Sequence, residues 1–239
     1  MATSGTTTFD LPIDEIIEEA YERTGLRGNR TGYQLKSARR SLNILLSEWG
    51  NRGVHLWKVK LASIPLVNGQ AEYNFANDNA NFPQDISDVL EAYVRDDTTA
   101  TAPVDTTLTK IDRSTYSALP NKLEKCTQSQ YYVQRSVAPS IFLYLTPNSS
   151  FSGANYKLKF YYVARIQDAG AYTNEADVVY RFLPCMTSGL AYYLSLKYSP
   201  ETAQANKLIY EDELARALTE DGQRTSAFIT PQTFYGDGV

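Results

Sequence analysis

The chain has few of the residues that most often hold metal ions or serve as nucleophiles and bases. Its 239 residues include one histidine, His55, and two cysteines, Cys126 and Cys185, which lie far apart in the sequence. Zinc sites need several His or Cys ligands at close spacing, so we expect two free thiols and no metal site. No nucleophile elbow accompanies His55, and we interpret it as a strand residue. The sequence therefore predicts no enzyme, no catalytic residue and no cofactor.

The chain also lacks an excess of positive charge and any long apolar run. It carries 23 Lys and Arg against 27 Asp and Glu, which gives a net charge of −4. Proteins that coat nucleic acid through electrostatics are usually basic, so this class is disfavoured. No apolar run approaches the roughly 20 residues that a membrane helix needs. The first residues show neither a basic nor an apolar signal region, and we expect synthesis in the cytoplasm.

Tyrosine, in contrast, is abundant, with 18 copies. A tyrosine ring can be covered by protein while its hydroxyl stays in contact with water, which suits half-buried sheet faces and protein interfaces. The composition therefore favours both of these environments.

Apolar residues recur at helical spacing near both ends of the chain. The pattern predicts helices at about residues 12–23, 32–50, 184–198 and 200–218. Thr31 is a suitable N-cap for the second helix and Ser199 for the fourth, with Pro200 at its first position. The fourth helix shows a narrow apolar stripe of Ala205, Leu208, Ile209, Leu214, Ala217 and Leu218. Each helix has one apolar stripe, so we expect the four to pack into one bundle.

Between the second and third predicted helices the apolar period changes to two, which is typical of strands. Asn68-Gly69 separates two apolar runs and predicts a β-hairpin. Later strands are expected near residues 89–95, 108–111, 131–133, 141–145 and 156–163, with one helical turn capped by Asp112 or Ser114.

These elements predict an α+β fold with six or seven antiparallel strands. The N- and C-terminal helices form one discontinuous domain of residues 1–54 and 166–218. The antiparallel β domain, residues 55–165, is inserted between the second and third helices. Residues 219–239 form an extended C-terminal arm.

Two charge clusters allow more than one interpretation. The basic one contains Arg23, Arg27, Arg30, Lys36, Arg39 and Arg40. It is either a solvated helix face balanced by nearby glutamates or a docking surface for an acidic partner, centred on Arg39 and Arg40. The acidic one contains Glu211, Asp212, Glu213, Glu220 and Asp221. Its position near a helix end favours solvation over acid catalysis or cation binding.

Three stretches in a fixed order carry a resemblance to a known family. The first is Ala-Arg-Arg-Ser-Leu-Asn-Ile-Leu-Leu-Ser-Glu-Trp-Gly-Asn-Arg-Gly at 38–53, followed by Leu56-Trp57. The second is Ile111-Asp112-Arg113-Ser114-Thr115-Tyr116, then Pro120-Asn121-Lys122, Tyr132-Val133 and Thr146-Pro147-Asn148. The third is Leu190-Ala191-Tyr192-Tyr193 with Lys197, Pro200, the helix 210–217, Glu220-Asp221 and Arg224. Together they resemble the head-to-tail adaptor of short-tailed bacteriophages, also called the gatekeeper or tail tubular protein A. The family more usually has Gly-Pro-Thr/Ser before the Tyr-Tyr-Val strand, where this chain has Cys126-Thr127-Gln128-Ser129-Gln130.

The resemblance implies a structural protein of the virion, at the head-to-tail junction. It implies a homo-oligomeric ring of about twelve copies that binds the portal protein above and the tail nozzle protein below. Such a ring extends the DNA channel and helps to retain packaged DNA, which passes without sequence-specific binding. The acidic net charge agrees with this role, because a negative lumen lets DNA slide.

Residues 219–239 have no helical period, yet they contain several large apolar side chains. We expect this segment to be mobile in isolation and to dock, extended, on a neighbouring adaptor subunit or on the portal. Phe228 and Ile229 would anchor it, Pro231 would keep it extended, and Arg224 would pair with a carboxylate at its root. Phe234 and Tyr235 follow as further contacts. A merely solubilising tail is the alternative.

Two other classes of protein stay open from the residues alone. One is a tail-associated hydrolase that contacts host surface glycans, which needs paired carboxylates or a nucleophile with its base. The other is a small carbohydrate-binding or tail-fibre-like β module. Modules of this kind are nearly all β, whereas both ends of this chain read as helical.

Overall fold

A computed structural model describes residues 11–26, 30–54, 56–75, 82–99 and 101–222, together with Gly5, Phe9 and Gly28. The helices within these residues are α1 (Ile13–Arg23), α2 (Gly32–Asn51), α3 (Arg113–Ala118), α4 (Leu183–Tyr198) and α5 (Pro200–Asp221). The strands are β1 (Val59–Leu66), β2 (Glu72–Asn74), β3 (Ile86–Asp96), β4 (Val104–Ile111), β5 (Gln130–Gln134), β6 (Ser140–Tyr144) and β7 (Gly153–Ala164). Two 3₁₀ turns, Leu56–Lys58 and Tyr180–Phe182, precede β1 and α4. The predicted mixed α+β class is confirmed.

The helix ends follow the predicted signals except at Ser199. Thr31 caps α2, because its hydroxyl accepts from the Gln34 amide at 3.3 Å while the Gln34 side chain accepts from the Thr31 amide at 2.9 Å. Asp112 caps α3, because its carboxylate accepts a hydrogen bond from the Thr115 amide at 2.7 Å. Ser199 is the N-cap residue of α5 and Pro200 its first residue, as predicted, but the Ser199 side chain makes no capping hydrogen bond.

Helix α4 is the centre of the helical part of the chain. Most of its residues are buried, including both polar and apolar side chains. Helices α1, α2 and α5 all contact it, which explains why α4 is buried on several sides. Gly189 lets two of them approach closely: a Cβ atom added there would lie 2.9 Å from Leu45 Cδ2 on α2 and 2.9 Å from Tyr210 Cε2 on α5.

The seven strands form one sheet with the order β1-β7-β3-β4-β5-β6-β2. Its neighbouring strands are antiparallel except for β4 and β5, which pair in parallel. The prediction of a purely antiparallel β region is therefore wrong. A parallel pair needs a crossover connection, and residues 112–129, which include α3, supply it.

The predicted hairpin at Asn68-Gly69 is also wrong. The chain does turn there, with Gly69 at φ 76°, but β1 pairs with β7 and β2 pairs with β6. The two strands are the opposite ends of the sheet order, which would lie about 29 Å apart in a flat sheet. Residues 67–71 connect them, and an extended connection of that length reaches only about 22 Å. The sheet therefore curls, and the turn joins its two edges.

The described residues bury two hydrophobic clusters that share no residue. One is formed by the helices and contains Trp49, Phe182, Met186 and Leu190 among others. The other lies inside the curled sheet, where Phe75 contacts Phe160 at a ring distance of 5.6 Å. Residues 56–58, which were expected to start a strand, instead form a turn whose Trp57 ring packs 4.7 Å from Phe182.

Candidate interaction surfaces

Helix α5 presents two apolar faces rather than the single predicted stripe. Its buried residues are Ala203, Asn206, Tyr210, Leu214 and Ala217. Leu208 and Ile209, predicted to be in the stripe, are 63% and 49% exposed. The stripe was misplaced because the buried face includes two residues with polar tips. The buried hydroxyl of Tyr210 has a hydrogen-bond partner, because it accepts a hydrogen bond from Trp49 Nε1 at 3.0 Å.

A groove of about 700 Å³ runs between α1 and the start of α4, and we call it the α1 groove. Its floor is apolar, formed by Leu11, Leu183 and Pro184, with the exposed rings of Phe9 and Tyr180 6.0 Å apart. Its wall is acidic and consists of Glu15, Glu18, Glu19 and Glu22 with Arg23 among them. The groove thus combines an apolar surface with an excess of negative charge.

A chain of polar contacts supports that acidic wall. Arg23 donates to Glu19 at 2.9 Å and to Ser188 Oγ on α4 at 2.6 Å. Ser188 in turn donates to Glu213 on α5. Among the described residues, Glu15, Glu18 and Glu22 make no ion pair. Three carboxylates of the groove are therefore free to bind a cation from another segment.

The outer face of the sheet carries an aromatic cluster of Tyr116, Tyr132 and Phe142. Their rings lie 5.5 to 5.9 Å apart, and all three residues are half-buried. They line a recess of about 510 Å³ together with the cations Arg113 and Arg135. This surface, which we call the aromatic cluster, is apolar at its centre and basic at its edge.

Asp88 ties that edge to the neighbouring strands. Its carboxylate accepts hydrogen bonds from Arg135 and, at 3.2 Å, from Lys110 on β4. Burial by itself would raise the pKa of Asp88, but the two cations outweigh burial and hold that pKa below its ordinary value of 3.8.

The two arginines predicted as a docking surface have different environments. Arg39 Nη1 donates to the Gly170 carbonyl at 3.2 Å, and its guanidinium lies 5.5 Å from the centre of the Tyr172 ring. That segment caps α1, since the Tyr172 carbonyl accepts from the Asp14 amide at 3.0 Å. Arg39 therefore holds the chain's own structure together. Arg40 is exposed and makes no ion pair with the described residues.

The other charged residues singled out from the sequence are mostly paired within the chain. Arg30 donates to the Leu26 carbonyl at 2.7 Å. Glu211 accepts two hydrogen bonds from Arg52, at 2.7 and 2.9 Å, which join α5 to α2. Asp221 accepts from Arg181. These pairs favour the structural interpretation of both charge clusters.

The described part of the chain offers little for catalysis. No group of three His, Cys, Asp or Glu side chains in it could hold a metal ion. Cys185 is buried, and that burial, with a smaller effect of Glu213, raises the pKa of its thiol to about 12. Cys126 is an exposed free thiol. Separately, no helix among the described residues is long and apolar enough to cross a membrane.

His55 and the predicted arm residues lie outside the described residues. The latter are Arg224, Phe228, Ile229, Pro231, Phe234 and Tyr235. Their assignment as contacts to the portal or to a neighbouring subunit stays a prediction.

A comparison with protein families finds a match over most of the chain. The family model described as SU10 adaptor protein matches residues 29–233, which is most of the chain and includes all seven strands and helices α2 to α5. In a search of curated proteins, none matches significantly.

Proposed function

The chain belongs to the SU10 adaptor protein family, a phage head–tail adaptor type with a structural role in the virion, and from this membership we propose a more specific function. The protein is a ring-forming adaptor of the gatekeeper, or tail tubular protein A, type that joins the portal to the tail. The observation that carries this proposal is the family match over residues 29–233. The ordered sequence stretches at 38–57, 111–148 and 190–224 support it independently.

The ring would contain about twelve copies, and such a ring needs two different surfaces that meet head to tail. We assign one to the exposed face of α5, with Leu208 and Ile209, and the other to the aromatic cluster on the sheet. They lie on different elements of the chain, and both expose apolar side chains with charges nearby. Exposed apolar surface of this kind is typical of protein contacts.

The helices α1, α2, α4 and α5 are inferred to act as one bundle, with the sheet as a second domain. The shared hydrophobic cluster of these four helices supports the bundle, and the separate cluster inside the sheet supports the division. The limits that we propose are residues 1–54 and 166–218 for the helical domain and 55–165 for the β domain. Helix α5 itself continues to Asp221, so the arm would start after that residue rather than at 219.

The ring would extend the DNA channel from the portal to the tail nozzle protein. Each subunit has a net charge of −4, so a ring of about twelve copies would be strongly negative. DNA is itself negative and would pass through such a lumen without being gripped. Closing the channel until the tail is complete would retain the packaged DNA.

We assign attachment to the portal to the arm. Phe228 and Ile229 are its anchors, and Arg224 lies at its root. Pro231 keeps the arm extended ahead of the further contacts Phe234 and Tyr235. A buried aromatic anchor can contribute about 2 kcal/mol or more to binding, which makes a short extended segment sufficient. Arg40, exposed on α2, is the remaining basic contact of the predicted docking surface.

The test is to add the purified chain to DNA-filled heads that carry portal but no adaptor, and to image the connector by cryo-EM. A ring of this protein beneath the portal is the expected result. Heads that bind no ring under these conditions would contradict the proposal.

The arm is tested in the same assay with a chain that lacks residues 223–239. We expect at least about tenfold weaker binding to the heads and loss of DNA retention, because the anchors are gone. Val137→Ala, at an exposed residue that belongs to neither the arm nor the predicted docking surface, is the matched control and should leave binding unchanged. If the shortened chain forms a ring and retains DNA as well as the full chain does, the arm is not the attachment device.

A further inference from the structure

The α1 groove lies beside the point where the described chain ends, and neither the adaptor role nor the family match assigns it a ligand. Asp221 is the last residue of α5; its side chain is almost fully buried and accepts a hydrogen bond from Arg181 Nε at 2.8 Å. Arg181 follows Tyr180, which lines the groove. A smaller recess of about 270 Å³ next to Arg181 shares Pro184 with the groove. A concave path therefore leads from the end of α5 into the α1 groove.

We propose that, in the free subunit, residues 223–239 of the same chain occupy the α1 groove. The chemistry of the segment matches that of the groove. Arg224 is its only cation, and the groove offers the unpaired carboxylates of Glu18 and Glu22. Phe228 and Ile229 supply apolar side chains for the floor of Leu11, Leu183 and Pro184.

The distances allow this placement. Phe228 lies six positions after Gly222, and an extended segment over six positions reaches about 20 Å. Arg224 stands three residues beyond Asp221, the end of α5, and would pass the recess lined by Glu213 and Glu220 on its way to Glu18 and Glu22 in the groove. The charged residue thus comes first along the path, and the apolar anchors reach the groove behind it.

The same chain, rather than a second copy, is the occupant because its end is already fixed at the rim. The Arg181–Asp221 contact holds the end of α5 there. A short tether gives the attached segment an effective concentration in the millimolar range, far above that of a second subunit at micromolar concentration. Under the proposed function, the consequence is that the arm must leave its own groove before it can bind the portal.

Disulfide trapping in the full chain tests the proposal. The variant combines Cys126→Ser with Pro184→Cys and Ser226→Cys, which leaves the anchors and the carboxylates unchanged. In the control, Leu208→Cys on the outward face of α5 replaces Pro184→Cys. Mild oxidation of dilute protein is followed by non-reducing electrophoresis and by peptide mapping, and circular dichroism confirms that each variant is folded.

We expect a disulfide between positions 184 and 226 in a band of monomer mass, and none in the control. Adding Glu18→Gln and Glu22→Gln should slow its formation about two- to fivefold, as loss of exposed ion pairs predicts. A crosslinked dimer would overturn the proposal by showing that a second copy fills the groove. Crosslinking no faster than in the control would overturn it altogether. The purified chain alone is used, so failure here is distinct from failure of the ring to bind heads.

Discussion

At the scale of single residues, the hydrogen bond from Trp49 to Tyr210 is a fixed point of the helical part. Both side chains are almost fully buried, and the 3.0 Å bond links α2 to α5 across the cluster. Burial raises the pKa of Tyr210 to about 12, so the hydroxyl stays protonated at every pH at which the protein would be handled.

Tyr210→Phe is therefore expected to destabilise the chain without changing its fold. The substitution leaves the indole N–H of Trp49 buried with no acceptor, which should lower the free energy of unfolding by about 1 to 3 kcal/mol. Urea unfolding followed by circular dichroism measures the change. Tyr33→Phe is the control, because Tyr33 is exposed and its hydroxyl makes no hydrogen bond with the described residues. Equal stability of the two variants would contradict the assigned role of the bond.

Asp88 gives a pH-dependent prediction. Its folded-state pKa is lower than its ordinary value of 3.8, so the carboxylate stabilises the fold above that pH. The contribution is lost as the pH falls through the folded-state pKa. Asp88→Asn should lower the free energy of unfolding at pH 7 by about 1 kcal/mol, allowing for the exposure of Arg135. The difference from the unmodified chain should shrink below pH 3.8.

The matched control for Asp88 is Asp212→Asn, which removes a surface pair with Arg216 on α5. Exposed pairs of this kind contribute little, so we expect a change of at most a few tenths of a kcal/mol at pH 7. If the difference in the free energy of unfolding between Asp88→Asn and the unmodified chain stays constant down to about pH 2, the ion pairs of Asp88 are not its cause.

At the scale of elements, the close packing at Gly189 sets how α2 and α5 lie on α4. Gly189→Ala should overpack the site by pressing a methyl group against Leu45 and Tyr210. Overpacking costs about 1 to 3 kcal/mol, more than the roughly 1 kcal/mol that alanine gains in helix propensity. We expect a net loss of about 1 kcal/mol in the free energy of unfolding, measured by urea unfolding.

Gly50→Ala separates packing from propensity. Gly50 also lies in a helix, but a Cβ atom there meets nothing within 4 Å. This variant should be neutral or more stable by up to about 1 kcal/mol. If Gly189→Ala raised the free energy of unfolding as much as Gly50→Ala does, α2 and α5 would not be in close contact with α4 at Gly189.

The elements differ in how far the sequence could predict them. The long helices begin and end close to the predicted residues, because their period and their caps are local signals. The pairing of β1 with β7 and of β2 with β6 was not predicted, since it depends on how a curled sheet brings distant strands together. The strong local turn signal at Asn68-Gly69 therefore predicts a hairpin, although the two strands that this turn joins do not pair with each other.

The candidate surfaces were harder to predict than the fold. Because Leu208 and Ile209 are apolar, the sequence predicts them in the buried stripe of α5. In the structure the buried positions are instead held by residues that include Tyr210 and Asn206, which carry polar groups. Arg39 was read as a docking residue, but its partner Gly170 lies 131 residues away in the sequence. The sequence shows the glutamates of the acidic wall of the α1 groove. Only the structure, through the position of α4 and of the turn before it, shows that this wall borders a concave apolar floor.

At the scale of the whole molecule, the exposed apolar residues of the described chain are spread over many elements. They include Ile44 on α2, Leu61 on β1, Leu90 on β3 and Val137 between β5 and β6. A stable interface usually buries about 1,600 Å² and has an apolar centre. Scattered apolar residues of this kind favour weak association that a partner must reinforce.

We therefore predict that the purified chain sediments as a monomer of 26.8 kDa, or associates weakly, and forms a ring only on the portal. Leu208→Asp with Ile209→Asp should leave the monomer folded, because both side chains are exposed, yet prevent the ring by placing charge in the proposed subunit contact. Val137→Asp, at a residue that is 99% exposed and outside both proposed surfaces, should assemble normally. Analytical ultracentrifugation with and without portal measures both effects. A stable ring without portal at micromolar concentration would show that contacts between subunits suffice, and unchanged assembly of the α5 variant would place the ring contact elsewhere.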